Sequence, residues 1–419
     1  MSNILAEVLT IGDEILYGQI VDTNSQWISA ELDKIGIKVL RKTTIGDTES
    51  EIMEALAEAE KRVDIILITG GLGPTNDDLT KPCLTNYFNT ELETNKEALE
   101  ILESIYEKLG RELTPLNRKQ ADLPKSCTMI PNMVGTASGM WFDKEDKTFV
   151  SMPGVPHEMK KMMLDSIIPK LQEKYHTPVI YHKLIKTIGI GESDLAILIE
   201  DWEKNLPKHI KLAYLPSLGR VKLRLTAFGD DLDFLKKEVQ DQINSLKELA
   251  GKYVYGYDKE EIEEVIGKLL QQANMNLAVA ESCTGGYIQH LITSIPGSSA
   301  YFKGGITPYQ NDLKINLLKV RPETIFEHGA VSEETVVQMA ENVRKLYHTD
   351  FGIATSGIAG PGGATPEKPV GTIWIAVSDS NGTKAKLLRL WKDRDLNIKT
   401  TAIAVLNLLR RRLLDLEDN

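Results

Sequence analysis

Ser282 ends an apolar run, Leu277–Glu281, and precedes Cys283-Thr284-Gly285-Gly286. A serine at such a strand-to-helix turn projects from the sheet edge, while the helix beyond it presents N–H groups that have no intrahelical partner. That arrangement suits a nucleophile beside an oxyanion hole, with the N–H groups of Thr284, Gly285 and Gly286 as donors. A serine hydroxyl is a weak nucleophile and needs a base. The seven histidines are dispersed, and His290, in the following helix, reads as a surface or packing residue. A lysine can serve instead once burial or a neighbouring cation lowers its pKa, but spacing alone singles out none of them. Ser282 also reads as a plain helix N-cap, and Cys283 is a rival nucleophile on chemical grounds.

A second constellation lies near the N-terminus. Gly70-Gly71-Leu72-Gly73-Pro74-Thr75-Asn76-Asp77-Asp78 follows the apolar run Asp64–Thr69. Glycines let backbone N–H groups approach an anion closely. Adjacent carboxylates cannot hold a bare phosphate, but they can hold a metal-bound one or activate water. The competing reading is a tight turn with solvated acids. Gly12-Asp13-Glu14, Asp22-Thr23-Asn24-Ser25 and Met152-Pro153-Gly154-Val155-Pro156 are further loop elements of the same segment.

The elements that must hold these residues follow from pattern. Ile4–Ile11 and Ile37–Ile45 read as strands, and Asp64–Thr69 as a strand buried on both faces. Asn24 is placed to cap a helix through Leu32, with Gly36 past its end. Thr48 and Glu51 form a capping box. This βαβαβ order predicts a parallel sheet with helices on both sides. Val179–Ile188 looks extended and Glu192–Trp202 helical. Val221, Leu223, Leu225 and Ala227 alternate as a half-buried strand, and Leu235, Val239, Ile243 and Leu246 mark one helix face. Asp258 and Glu261 signal a helix start whose stripe is Ile262, Val265, Ile266, Leu269 and Leu270. Strands follow at Phe351–Thr355 and Thr372–Val377. The fold class is α/β, in three modules: 1–172, a small α+β segment 173–252, and 253–419.

Composition limits the functions available. The chain has 419 residues, 42% hydrophobic and 26% charged, which is globular rather than disordered. The net charge of −11 disfavours nucleic acid as a partner. Arg410-Arg411-Arg412, the one basic run, reads as a solvated helix face. Three scattered cysteines, Cys83, Cys127 and Cys283, form neither a disulfide framework nor a metal cage. No apolar run reaches a membrane-spanning length, and the N-terminus lacks secretory features. The expected location is therefore the cytoplasm, with no membrane partner.

The strings at 10–16, 22–25, 69–78 and 152–156 resemble the molybdopterin-binding fold family. More closely, they resemble the N-terminal domain of the competence/damage-inducible CinA family. The resemblance implies working aspartates at Asp78 and Asp47, with Asp13, Asp77, Gly70, Gly71 and Gly73 around them. It also implies metal-dependent hydrolysis of ADP-ribose, with a divalent metal near Asp78. Ala280-Glu281-Ser282-Cys283-Thr284-Gly285-Gly286 resembles the signature of nicotinamide mononucleotide deamidases. So do Pro296–Ser299, Lys303–Asn311, His328–Ser332, Ser356–Gly363 and Lys368–Thr372. This second resemblance implies Ser282 as nucleophile, Tyr309 and Lys314 as its assistants, and Arg394 at the substrate. It implies no cofactor for the deamidase, and a homodimer. Gly357, Gly360 and Gly362 would offer backbone donors to ribose or phosphate. Pro308 departs from the family pattern, and its fixed φ bears on the approach to Tyr309. A nucleotide- or pterin-binding regulatory protein without turnover is the competing class.

Overall fold

The computed structural model describes residues 4–75, 77–217 and 219–416. It divides into two compact units. One is the chain up to Tyr181 with Ala227–Lys236; the other is His182–Thr226 with the chain from Lys237 on.

In the first unit the sheet order is Lys38–Ile45, Leu5–Ile11, Ile65–Thr69, Lys147–Met152, Gly139–Lys144, Thr128–Ile130. The first four strands run parallel. The last two are antiparallel, so the sheet is mixed rather than wholly parallel. The reversal is a hairpin whose turn places Glu145 at φ +55°. Ile65–Thr69 is buried throughout, as its near-continuous apolar sequence requires. Ile65 and Leu67 face one core with Ile28, Leu32 and Met159, while Ile66 and Ile68 face another with Ile52, Leu56 and Leu84. The chain leaves Leu5–Ile11 for a neighbour on one side and returns to the other. A crevice therefore opens at the carboxyl ends of Leu5–Ile11 and Ile65–Thr69, where such sheets bind ligands.

The second unit contains the C-terminal five-stranded sheet, ordered Phe302–Ile306, Leu277–Glu281, Phe351–Gly357, Thr372–Asp379, Gly382–Arg389. The first three strands are parallel and the last two antiparallel. Leu277–Glu281 occupies the same topological position as Leu5–Ile11, with its crossovers diverging to left and right. Ser282 stands at that switch point. Leu277 and Val279 pack towards Ile266, Leu270 and Val405, and Ala278 and Ala280 towards Val336, Met339 and Val343. A Cβ on Gly352 would lie 2.2 Å from the Ala340 carbonyl oxygen. Glycine is thus what lets the helix Glu333–Tyr347 lie so close to this strand. The middle segment supplies a four-stranded sheet ordered Ile210–Ser217, Arg220–Gly229, Val179–Ile188, Val254–Tyr257.

Three local expectations are corrected. Asn24 does not cap its helix: Asp22 is the cap and accepts from the Ser25 N–H, which leaves Asn24 inside the first turn. Asp258 does not start a helix. It sits at φ +49° and accepts from the Leu184 N–H, while the helix Ile262–Ala273 begins after Glu261 without a side-chain cap. The arginine run is not a solvated face. Arg410 is 2% exposed, and it donates to the Val254 and Lys252 carbonyls and to Asn407 Oδ1. Arg412 forms a fork on Asp379. Tertiary acceptors outweigh the solvation that composition alone suggests. Among the described residues no helix is long and apolar enough to cross a membrane.

Candidate active site

Ser282 follows the buried strand Leu277–Glu281 and anchors its N–H on the Thr355 carbonyl at 3.0 Å. The turn beyond it requires its glycines for conformation: Gly285 and Gly286 lie at φ +63° and +98°, where a Cβ would be strained, though no atom crowds it. The fully buried Glu281 carboxylate accepts from the N–H groups of Gly286, Ile288 and Gln289 at 2.9–3.1 Å. It occupies the positive end of the helix Tyr287–Thr293 and fixes the turn from below. Sequence reasoning gave Glu281 no role. An acid immediately before the serine and one turn before a helix was the available signal.

This corrects the oxyanion reading. The Gly286 N–H is committed to Glu281, and the Gly285 N–H to the Ser282 carbonyl. Among the described residues the Thr284 N–H carries no such bond, and the Cys283 N–H lies against its own thiol. The Thr284 hydroxyl is held by Thr355 at 2.8 Å.

Lys314 comes from the short helix Asn311–Asn316 and is 1% exposed. Its Nζ lies 3.2 Å from Ser282 Oγ, 2.9 Å from the Pro308 carbonyl oxygen and 3.3 Å from that of Tyr309. Burial lowers its pKa, and no carboxylate pairs with it among the described residues. Lys314 Nζ donates to Ser282 Oγ and to both carbonyls; were the amine neutral, the two carbonyls could take its two hydrogens and its lone pair would face the serine hydroxyl. The Pro308 carbonyl is thus one of the acceptors that hold the amine. Burial pushes the Cys283 thiol up to about 12, which leaves it protonated and a poor nucleophile.

Tyr309 is 55% exposed, and its hydroxyl accepts from Arg394 at 3.0 Å rather than meeting Ser282 or Lys314. Arg394 also donates to the Gly360 carbonyl at 2.8 Å. It is not tied to its acidic neighbours: Asp393 caps the helix Arg394–Leu413, and Asp395 pairs with Lys399. The cleft encloses about 210 Å³ and is lined by Ser282, Lys314, Tyr309, Arg394, Asn311 and Gly357, among others. Gly360 reaches it through its carbonyl, whereas Gly362 does not line it.

The N-terminal crevice encloses about 540 Å³. A Cβ on Gly70 would lie 2.2 Å from the Ile11 carbonyl oxygen, and one on Gly71 2.3 Å from Thr80 Oγ1, so both glycines permit close approach. Gly73, Asp47, Asp77 and Asp78 line the crevice, but Asp13 does not. The Asp13 N–H donates to Asp47 at 3.0 Å, and burial raises the Asp47 pKa. Asp78 accepts from the Thr75 N–H and hydroxyl. Glu14, Asp22 and Glu158 add to the wall, where no lysine, arginine or histidine stands among the described residues. Asn24, misread as a cap, donates to Thr69 Oγ1 and the Gly154 carbonyl, and its own Oδ1 is buried without a partner. Among the described residues no three acidic, histidine or cysteine groups cluster to hold a metal. A hydrated ion that completed its shell with phosphate oxygens would need only one or two of these carboxylates.

Fold and site together define a multidomain α/β protein with ligand crevices at two switch points. The probable molybdopterin binding domain matches residues 7–173, the damage-inducible protein CinA KH domain 182–256, and the CinA C-terminal domain 259–413. A CinA-like protein of Cytophaga hutchinsonii is 52% identical over 98% of this chain and 99% of its own length. One of Flavobacterium psychrophilum is 44% identical over 98% of each. The chain belongs to the CinA family. The crystal structure of a competence/damage inducible protein from Agrobacterium tumefaciens is 35% identical, over 36% of this chain and 93% of that one, with a TM-score of 0.35.

Proposed function

We propose that the C-terminal domain hydrolyses the carboxamide of nicotinamide mononucleotide to nicotinate mononucleotide and ammonia. The observation that carries this reading is the buried Lys314 amine, without a carboxylate, 3.2 Å from Ser282 Oγ. Neutral Lys314 takes the Ser282 proton as Oγ attacks the carboxamide carbon. The oxyanion forms beside the Cys283 and Thr284 N–H groups, one such donor being worth about 2.7–4 kcal/mol. The Lys314 ammonium then protonates the leaving nitrogen, and ammonia departs from an acyl ester on Ser282. Water, deprotonated by Lys314, cleaves that ester. The Pro308 and Tyr309 carbonyls stabilise the ammonium between the two steps. Arg394, steadied by Gly360 and Tyr309, offers its remaining N–H donors to the substrate phosphate.

The test is ammonia release by wild type, Ser282→Ala and Cys283→Ala. Release by wild type and Cys283→Ala, but not by Ser282→Ala, supports the reading. No release by folded wild type overturns it in favour of a nucleotide-binding regulator.

For the N-terminal crevice we propose metal-dependent cleavage of ADP-ribose. The charged residues described on its wall are acidic and would repel a bare pyrophosphate, so the ion must arrive with the substrate. Asp47, which accepts from the Asp13 N–H, and Asp77 stand on that wall as carboxylates for such an ion. Phosphate release from ADP-ribose coupled to a phosphomonoesterase, with and without a divalent cation, tests this, and metal-independent turnover refutes it. A homodimer is proposed from the family resemblance and is tested by sedimentation.

A further inference from the structure

A cavity of about 230 Å³ lies within the second unit, between the middle-segment strands and the helix Arg394–Leu413. Ile375, Leu388, Ile403 and Leu408 form apolar walls, and Tyr253 also lines it. Lys252 and Lys386 stand at the rim, and neither has a carboxylate partner among the described residues. Among the described residues, no acidic one lines the cavity.

Two further groups are donors without acceptors. Thr400 Oγ1 is buried in the wall with no hydrogen-bond partner. Asn407 Oδ1 accepts from the Arg410 Nε–H at 3.0 Å, which fixes the amide orientation, and among the described residues its two amide hydrogens meet no acceptor. A buried polar group without a partner marks a place where an occupant supplies one. Small-molecule sites are typically apolar with a few convergent polar groups. Here every convergent group is a cation or a donor, and the Thr400 hydroxyl can act as one. From this we infer that the cavity binds a small organic anion: an apolar body of one or two rings carrying a carboxylate or phosphate. The apolar body meets Ile375, Leu388 and Ile403, and the anion meets Lys252 and Lys386. The site shares no lining residue with the Ser282 cleft and stands independently of the amidase reading.

The test titrates the full chain with 1-naphthoate, 1-naphthyl phosphate and 1-naphthylmethylammonium, following naphthalene fluorescence. The expected result is one saturable site for the anions, with the ammonium about tenfold weaker or more. The order of the two anions distinguishes a carboxylate from a phosphate ligand. Lys252→Ala/Lys386→Ala should weaken both anions by about tenfold or more with an unchanged melting transition. Ala404→Phe, which fills the cavity, should abolish binding; if that variant does not fold, the lysine pair decides. Equal binding of anion and ammonium, full affinity in the lysine variant, or displacement of naphthoate by nicotinamide mononucleotide would each overturn the inference.

Discussion

Replacing Lys314 by methionine keeps the length and burial of the side chain and removes the amine. In the wild type that amine sits 3.2 Å from Ser282 Oγ, with two carbonyls at 2.9 and 3.3 Å. General-base assistance is worth about 10²–10⁴ in rate, or about 2.7–5.4 kcal/mol of barrier. We expect kcat for nicotinamide mononucleotide to fall by that factor. KM should change little, because the amine faces the reacting centre and not the phosphate. The pH dependence makes the test sharper. Burial lowers the Lys314 pKa, so the catalytically competent neutral form appears below the ordinary lysine range. Wild-type kcat/KM should rise with pH through that lowered value, and the variant should lose this limb. Stability has the same sign. Between the lowered pKa and the ordinary one, the unfolded chain binds the proton that the folded chain has released, so wild-type stability rises with pH across this window. Below the lowered pKa the whole penalty of a buried ammonium applies. Lys314→Met has no such slope, so the gap between the two proteins should widen in favour of wild type towards alkaline pH. Ammonia release between about pH 6 and about pH 10 and thermal melts at the same pH values measure both effects. A variant within about tenfold of wild type, or one that keeps the limb, would refute Lys314 as the base.

Arg394→Ala should raise KM for nicotinamide mononucleotide by about 10–150-fold, the worth of a charged hydrogen bond of about 1.5–3 kcal/mol. Nicotinamide riboside, which lacks the phosphate, should be much less affected; equal losses would remove Arg394 from the phosphate. Glu281→Gln leaves one acceptor oxygen where three N–H groups converge and should destabilise the fold by about 1.5–3 kcal/mol, read by denaturant titration. Its kcat should fall as the Ser282 turn loosens, and an unchanged kcat would separate Glu281 from the site. Cys283, with its thiol pushed up to about 12, should resist alkylation in the folded protein at neutral pH, and rapid modification followed by mass spectrometry would contradict its burial. Gly352→Ala should lower the melting temperature, since its Cβ would meet the Ala340 carbonyl at 2.2 Å.

The strands that carry both crevices were legible because they are short apolar runs bounded by glycine, which only a doubly covered sheet can bury. Leu277–Glu281 and Ile65–Thr69 are the clearest cases. The pairing of Ser282 with Lys314 was not legible from spacing. The two residues are 32 positions apart and meet only because the helix Asn311–Asn316 docks beside the strand end, so resemblance alone pointed to the pair. Glu281 was missed because its partners appear only once two left-handed glycines fold the next helix back over it. Asn24 was misread because an asparagine ahead of a helix looks like a cap, and Asp22 outcompetes it. Only the Ser282–Lys314 pair was decided by a tertiary contact; the other two turned on which neighbouring group wins a local hydrogen bond.

The buried Arg410 links distant parts of the chain. It spends its hydrogen bonds on the carbonyls of Lys252 and Val254, 158 and 156 positions earlier. Burial brings its pKa down to about 10, so at neutral pH it still carries its charge. Pulling residues 252–254 away would leave that charge with Asn407 Oδ1 in place of three acceptors, a step with no stable halfway point. The final helix and the strand that closes the middle sheet should therefore melt as one cooperative block. A chain cut between residues 252 and 258 would lose more than its covalent link, since the guanidinium would be left facing a vacant seam.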